Sequence, residues 1–260
     1  MGLIASAAGL DTLTRITWGD REKILYLLEK MSGGRIYHIY NIPGGVRRDI
    51  PPDFSDRARE VIGYIRTRLK IYEDLTMNNQ TFIDRTKGIG VVSRDDIIKY
   101  DITGPNARGS GVNIDIRKDV PYEAYEEIPF SVVTQNSGDA LARTIVRIKE
   151  IEESLHIIDE ALNMLPEGPI KTSSTEDGKR ITPFSKFPKG EAIHFVESAR
   201  GELMFHVVSN GDNKPYRVKV RGPTFDTILV YFPELLKGAY IADFPVIYWS
   251  LDNCPADHDR

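Results

Sequence analysis

The stretch that decides the fold is Asp139-Ala-Leu141-Ala-Arg-Thr-Ile145-Val-Arg-Ile148-Lys-Glu-Ile151-Glu-Glu-Ser-Leu155-His156-Ile-Ile158-Asp-Glu-Ala-Leu162-Asn-Met-Leu165. Leu141, Ile145, Ile148, Ile151, Leu155, Ile158, Leu162 and Leu165 recur every three or four residues, which places them on one face of a helix. Ser137 stands where an N-cap would, and Pro166-Glu167-Gly168-Pro169 stops the helix. An apolar stripe this long needs other long helices to cover it, as in a bundle. His156 falls beside the stripe and reads as a surface or boundary residue.

Upstream, Ala58, Val61, Ile62, Ile65, Leu69 and Tyr72 make residues 55–75 a second amphipathic helix, behind Pro51-Pro52-Asp53. Residues 78–101 read as shorter, less regular helix, and residues 120–129 as an acidic, tyrosine-rich surface loop. Residues 1–15 read as one helix that is apolar nearly all round, hence buried. Such a start implies another polypeptide, or a further segment, packed around it. Asp20 is expected to cap the next helix, whose face carries Ile24, Leu25, Leu28 and Met31 and which Ser32-Gly33-Gly34 ends. Residues 35–42 form a short alternating segment. Pro43-Gly44-Gly45 marks a tight turn where backbone comes close to something.

Downstream, residues 171–189 are polar and rich in Pro, Ser and Thr, as in a loop. The period then changes to two. Residues 192–197 and 202–208 flank Ser198-Ala199-Arg200-Gly201 as a hairpin, and residues 216–220 form a third strand. Residues 241–251 make a last apolar helix that carries the terminal residues inward. The expected fold is α+β, mainly α. Residues 1–170 form a helical bundle lobe, 171–190 a linker, and 191–260 a small mixed lobe with antiparallel strands.

At 260 residues, with 41% hydrophobic content, the chain can bury a sizeable core. A net charge of −4 supplies no basic surface for nucleic acid. No apolar run approaches the roughly 20 residues that span a bilayer, and the first residues lack the basic start of a signal peptide. The single cysteine excludes an internal disulfide framework, points to a reducing compartment and cannot hold an iron–sulfur cluster alone.

The chemistry concentrates in Asp252-Asn253-Cys254-Pro255-Ala256-Asp257-His258-Asp259-Arg260. Cys254 and Asp257 put a thiol and a carboxylate within one turn, as a metal site or its remnant. Three loops combine glycine with arginine: residues 43–49, 104–111 and 198–202. The second, Gly104-Pro-Asn-Ala-Arg108-Gly-Ser-Gly111, could present backbone N–H groups and a fixed cation, without the lysine and spacing of a P-loop. Arg200 in the third reads either as a site cation or as a turn arginine paired with Glu197 or Glu202. Asp252 reads as a cap of the terminal turn.

In this order, these motifs resemble the large subunit of energy-converting membrane-bound NiFe hydrogenases and its relative, the quinone-site subunit of respiratory complex I. The matching stretches are Pro43-Gly-Gly-Val-Arg-Arg-Asp49, Gly104-Pro-x-Ala-Arg-Gly-Ser-Gly111, Met164-Leu-Pro-Glu-Gly-Pro-Ile-Lys171, Ala199-Arg-Gly-Glu-Leu203, Arg217-Val-Lys-Val-Arg-x-Pro-Thr-Phe225 and Asp252-x-Cys254 with Asp259-Arg260. They cover essentially the whole chain and correspond to the C-terminal two thirds of such a subunit. The Cys-x-x-Asp ending is most similar to the large subunit of archaeal membrane-bound sulfane sulfur reductases.

The resemblance implies that Cys254 occupies the first place of the second metal-binding Cys-x-x-Cys pair and Asp257 the second. Arg200 matches an arginine that overhangs the metal site, here in Ser-Ala-Arg-Gly rather than Ala-Pro-Arg-Gly. The implied catalytic residues are Cys254, Asp257 and Arg200. No cofactor is expected on this chain alone: the NiFe centre is expected to be absent, with Cys254 and Asp257 as vestigial metal positions and 4Fe-4S clusters on neighbouring subunits. The implied partners are a chain or segment supplying the N-terminal third, an iron–sulfur small subunit, membrane ion-translocating subunits and ferredoxin. The implied function is reduction of sulfane sulfur by a peripheral subunit on the cytoplasmic side of the membrane. Two alternatives stay open: a complex I-like NAD(P)H/quinone oxidoreductase subunit, or a hydrogenase subunit that evolves hydrogen.

Overall fold

The computed structural model describes residues 1–172, 182 and 184–258. The chain opens with α1 (Gly2–Ala7) and α2 (Asp11–Ser32), closed by Gly33 in the left-handed conformation. A two-residue hairpin, β1 (Asn41–Ile42) and β2 (Gly45–Val46), precedes α3 (Phe54–Thr76). Four short helices follow: α4 (Gln80–Thr86), α5 (Arg94–Lys99), α6 (Gly104–Arg108) and α7 (Ile116–Asp119). Then comes the long helix α8 (Ala140–Asn163). β3 (Gly190–Ser198), β4 (Gly201–Ser209) and β5 (Arg217–Arg221) form an antiparallel sheet in that order. A π-helical turn at Thr227–Tyr231 runs into α9 (Phe232–Leu235), and a 3-10 turn leads into α10 (Phe244–Ser250). Residues Pro255–Asp257 form a last 3-10 turn.

The main core is where α1, α2, α3 and α8 meet. Ala5, Leu13, Ile62, Ile65, Leu69, Tyr72, Ile148 and Leu155 are buried together there. The two stripes expected from spacing therefore face each other, and α10 closes the end of α8 by packing Val246 with Ile4, Phe82 and Ala140. The stripe of α8 is not buried along its whole length. Ile158 and Leu165 are exposed, whereas Ile157 packs with Ile128 and Phe130 on another side. Loop residues cover that turn of the helix, so the buried face rotates there. His156 is half-buried, as a boundary residue, with Nε2 3.0 Å from the Pro129 carbonyl.

Several local expectations need correction. Residues 1–15 are not one helix: Gly9, at φ 87, ends α1, and α2 begins at Asp11. The α8 cap is Asp139, whose Oδ1 accepts from Ala142 N at 2.7 Å, while Ser137 donates to the same oxygen. Within residues 35–42 only Asn41–Ile42 is strand. Half of the linker placed at 171–190, residues 173–181 and 183, falls outside the described residues, as do Asp259 and Arg260. The close approach at Pro43-Gly44-Gly45 is real: a Cβ on Gly45 would lie 2.4 Å from the Ile170 carbonyl oxygen, and Val46 N donates to that oxygen.

Asp20 is not a cap. It sits inside α2, buried, and accepts from Tyr64 Oη (2.6 Å), Tyr72 Oη (2.7 Å) and Arg68 Nε (2.8 Å) on α3. Burial pushes this carboxyl upward, but the hydrogen bonds from Arg68, Tyr64 and Tyr72 outweigh it and hold it below the usual aspartate range. The stabilisation is therefore present above the ordinary value near pH 4 and lost as pH falls through the depressed one. Arg68 is partly exposed, so the ion pair is screened. Asp20→Asn should cost about 2 kcal/mol at neutral pH and flatten the loss of stability on acidification. Urea unfolding between pH 3 and 7 would read both effects.

Candidate functional site

The terminal turn is delivered by a bracket of buried side chains. Arg143 donates from Nη2 and Nε to Ser250 Oγ at 2.8 and 3.1 Å, and from Nη1 to the Gly138 carbonyl. Arg147 donates from Nη1 to the Ser250 carbonyl at 2.8 Å and from Nη2 to Asn106 Oδ1 at 3.2 Å. Asn106 Nδ2 in turn donates to the Leu251 carbonyl at 3.0 Å. Burial, and then the charge of Arg147, push Arg143 down to about 9, which leaves it cationic at neutral pH. These contacts fix the backbone of residues 250–251 immediately before the candidate motif. Neither arginine was singled out by the sequence. Both fall within the α8 repeat, where an arginine ordinarily faces water.

Residues 252–258 fold around Thr224, which is fully buried. Thr224 Oγ1 accepts from Cys254 N at 3.3 Å and donates to Asp257 Oδ2 at 2.8 Å. His258 Nε2 lies 3.3 Å from the Thr224 carbonyl oxygen, and Asp257 N donates to the Cys254 carbonyl at 3.0 Å. Gly222 makes the approach feasible, since a Cβ there would lie 2.6 Å from Asp257 Cβ. Cys254 is half-buried. Thr224 belongs to the quoted Arg-x-Pro-Thr-Phe motif, yet nothing in that spacing assigns it this central place.

Arg200 sits in the β3–β4 turn, with its backbone N donating to Ser198 Oγ at 3.3 Å. It pairs with neither Glu197 nor Glu202. Its Nε donates to the Asp252 carbonyl at 2.8 Å, and Nη2 lies 3.5 Å from Asp252 Oδ1. Asp252 is in the left-handed conformation, φ 55, two residues before Cys254. The turn rests on the start of α6: Glu202 N donates to Thr103 Oγ1, and a Cβ on Gly104 would lie 2.3 Å from the Arg200 carbonyl oxygen. Arg200 is thus brought to the terminal turn that carries Cys254 and Asp257.

The first five residues of the loop expected at 104–111 are instead the buried helix α6, followed by a turn, and its arginine is not free to meet a ligand. Arg108 donates to Glu150 Oε1 (2.6 Å) and Glu197 Oε1 (2.9 Å) and lies 3.5 Å from Asp115 Oδ2. Arg117 pairs with Asp115 at 2.7 Å. Burial raises Glu197 above the usual range. Burial pushes Asp115 the same way, but Arg117 and Arg108 together outweigh it and hold this carboxyl low. Five charged groups thus lock α6, α7, α8 and β3 together behind the Arg200 turn.

A cleft of about 550 Å³ opens beside this region, lined by Trp18, Arg21, Ile65, Arg147, Trp249 and Asp252 among others. It reaches Ala199 and Asp252 but is not lined by Cys254, Asp257 or Arg200. Among the described residues, no group of three or more His, Cys, Asp or Glu side chains is placed to hold a metal ion.

Residues 8–260 match the family described as the respiratory-chain NADH dehydrogenase 49 kDa subunit. The chain belongs to this family. One component of the F420H2 dehydrogenase of Methanosarcina mazei is 38% identical over 260 residues, which is all of this chain and 69% of that protein. The corresponding component of the NADH-quinone oxidoreductase of Thermosipho melanesiensis is 38% identical over 94% of this chain and 66% of its own length. Among solved structures, the archaeal membrane-bound sulfane sulfur reductase, described as a respiratory membrane complex, contains a chain with TM-score 0.93 and 40% identity. That match covers 99% of this chain and 69% of the other. The 49 kDa family therefore accounts for the mainly helical fold with its small antiparallel sheets. Within the described residues no helix is long and apolar enough to cross a membrane.

Proposed function

We propose that this chain is the hydrogenase-like subunit of a membrane-bound, ferredoxin-dependent respiratory oxidoreductase that reduces sulfane sulfur with coupled ion pumping and without a NiFe centre. The observation that carries this reading is Cys254, held beside the Arg200–Asp252 contact in a fold that matches a chain of the sulfane sulfur reductase complex at TM-score 0.93. The donor chemistry supports the nickel-free part: a nickel–iron centre takes soft thiolates, whereas the position three residues after Cys254 is a carboxylate, Asp257, already held by Thr224.

In this reading the Cys254 thiolate attacks a terminal sulfur of a polysulfide anion. An S–S bond forms to Cys254, one S–S bond of the polysulfide breaks, and the shortened polysulfide leaves with the electron pair. Two electrons from ferredoxin, passed through 4Fe-4S clusters on neighbouring subunits, and one proton then cleave the new bond to hydrosulfide and the thiolate. Arg200 supplies positive charge near the attacked anion, and Asp257 holds the turn through Thr224. The partners are an iron–sulfur small subunit and membrane ion-translocating subunits, with this chain peripheral on the cytoplasmic face.

In the assembled complex, Cys254→Ser should lower sulfide release from polysulfide at least about 100-fold, the scale of losing a nucleophile, with subunit content unchanged. Full activity in that variant would sink the thiol's role. Stoichiometric nickel with hydrogen evolution would replace the reading by a hydrogenase. The identity to NADH-quinone oxidoreductase components favours a second reading, a complex I-like subunit serving a quinone-type acceptor. Acceptor-dependent turnover with a quinone and none with polysulfide would select it.

A further inference from the structure

The turn after α2 pushes apolar side chains into solvent and holds them there. Ile36, Tyr37 and Ile39 are 74%, 82% and 68% exposed. The turn is anchored from below. His38 Nδ1 lies 2.9 Å from the Gly34 carbonyl and 3.3 Å from Ser32 Oγ, and Ser32 Oγ accepts from Gly34 N at 3.1 Å. Arg35 pairs with Glu29 at 2.8 Å and with Glu22, and Arg47 N donates to the Tyr40 carbonyl. A segment tied at both ends loses little further freedom on binding, which favours affinity.

Ile39 sits at φ 38. A β-branched residue is a strained choice at positive φ, where glycine fits without cost. An isoleucine at such a position, exposed, gains the chain nothing in its own packing. Strain of this kind collects where a side chain has work outside its own fold. Cations border the patch: the Arg48 guanidinium reaches the base of the turn near Gly33 and influences Tyr40, and Arg47 follows on the exposed side of β2. Among the described residues neither Arg47 nor Arg48 has an ion-pair partner, while Asp49 accepts from Ile50 N.

We propose that Ile36, Tyr37 and Ile39 form a preorganised anchor for a neighbouring protein subunit whose face offers an apolar slot bordered by carboxylates for Arg47 and Arg48. Fixed aromatic and aliphatic side chains flanked by arginine have the make-up of a binding hot spot. A specific protein slot explains a strained isoleucine better than a lipid surface does, because acyl chains do not need one side chain at one angle. The proposal concerns a surface separate from Cys254 and stands whichever acceptor the complex uses.

The test uses the full chain and the native complex. Ile39→Gly should leave the melting temperature of the isolated chain unchanged or raised, because strain is relieved. Its retention in the membrane complex on gel filtration should fall at least ten-fold, and Ile36→Asp and Arg47→Glu should lower retention in the same way. Wild-type retention in all three variants would overturn the proposal. So would a fall in melting temperature that accounts for the lost retention. If assembly is intact and only binding to phosphatidylglycerol vesicles is lost, the patch serves a lipid surface. If only self-association of the chain is lost, it serves a second copy. Either outcome also overturns the proposal.

Discussion

Arg108→Met should lower the unfolding free energy by about 3–5 kcal/mol at pH 8, the range for removing one partner of a buried ion pair. The guanidinium is almost completely enclosed and faces Glu150, Glu197 and Asp115. Arg117 pairs directly with Asp115 and reaches Glu197 only through its charge. Without Arg108, Glu150 and Glu197 lose the cation that pairs with them directly, and the charges of Arg147 and Arg117 reach them only at longer range. The sign of the pH effect follows. Glu197 is already pushed upward by burial in the intact protein. A carboxyl with a raised native value favours folding while protonated, and that advantage fades as pH rises from the ordinary glutamate value through the raised one. Losing Arg108 pushes Glu197 further up, so the variant should recover part of its deficit at pH 5. Denaturant titrations at pH 5, 6, 7 and 8 decide this. An equal deficit at all four would mean that the cost is lost packing rather than unpaired charge.

Gly104→Ala should be the second most damaging change. Gly104 has φ +68, and its Cβ would lie 2.3 Å from the Arg200 carbonyl oxygen and 2.5 Å from Gly201 Cα. Backbone strain at positive φ costs about 1 kcal/mol for alanine. The clash is with backbone on both sides, so it cannot be relieved by a side-chain rotation and adds roughly 1–3 kcal/mol. Gly88→Ala is the control. Gly88 has φ +70 with nothing within 4 Å of the built Cβ, so it shows the strain alone. Gly104→Ala should therefore unfold at clearly lower denaturant than Gly88→Ala. It should also withdraw the Arg200 turn from Asp252 and slow the assembled complex, whereas Gly88→Ala should not. Equal effects of the two substitutions would show that the α6–hairpin contact is not tight.

The sequence carried the fold further than the site. The stripes of α3 and α8 were legible because burial along a helix repeats with the helical period, and Ile62, Ile65, Leu69, Ile148 and Leu155 do meet in one core. The β3–β4 hairpin was legible from its change of period and its turn residues. Asp20 and Arg108 were misread for one reason. A capping aspartate and a loop arginine are the common local uses of these residues, and nothing nearby in sequence reveals partners 44 to 52 or 42 to 89 positions away.

The same division holds at the terminal turn. By itself the sequence offered the candidates for chemistry: a lone thiol at Cys254, a carboxylate at Asp257 and an arginine at Arg200. Only the tertiary structure decided their partners. It gave Asp257 to Thr224, Arg200 to the carbonyl of Asp252, and Glu197 and Glu202 to Arg108 and Arg221. Hydrophobic periodicity is a property of neighbours along the chain, so one sequence displays it. The pairing of polar groups is set by distances across the folded chain, where several donors compete for each acceptor, and it exists only once the helices and the hairpin have packed.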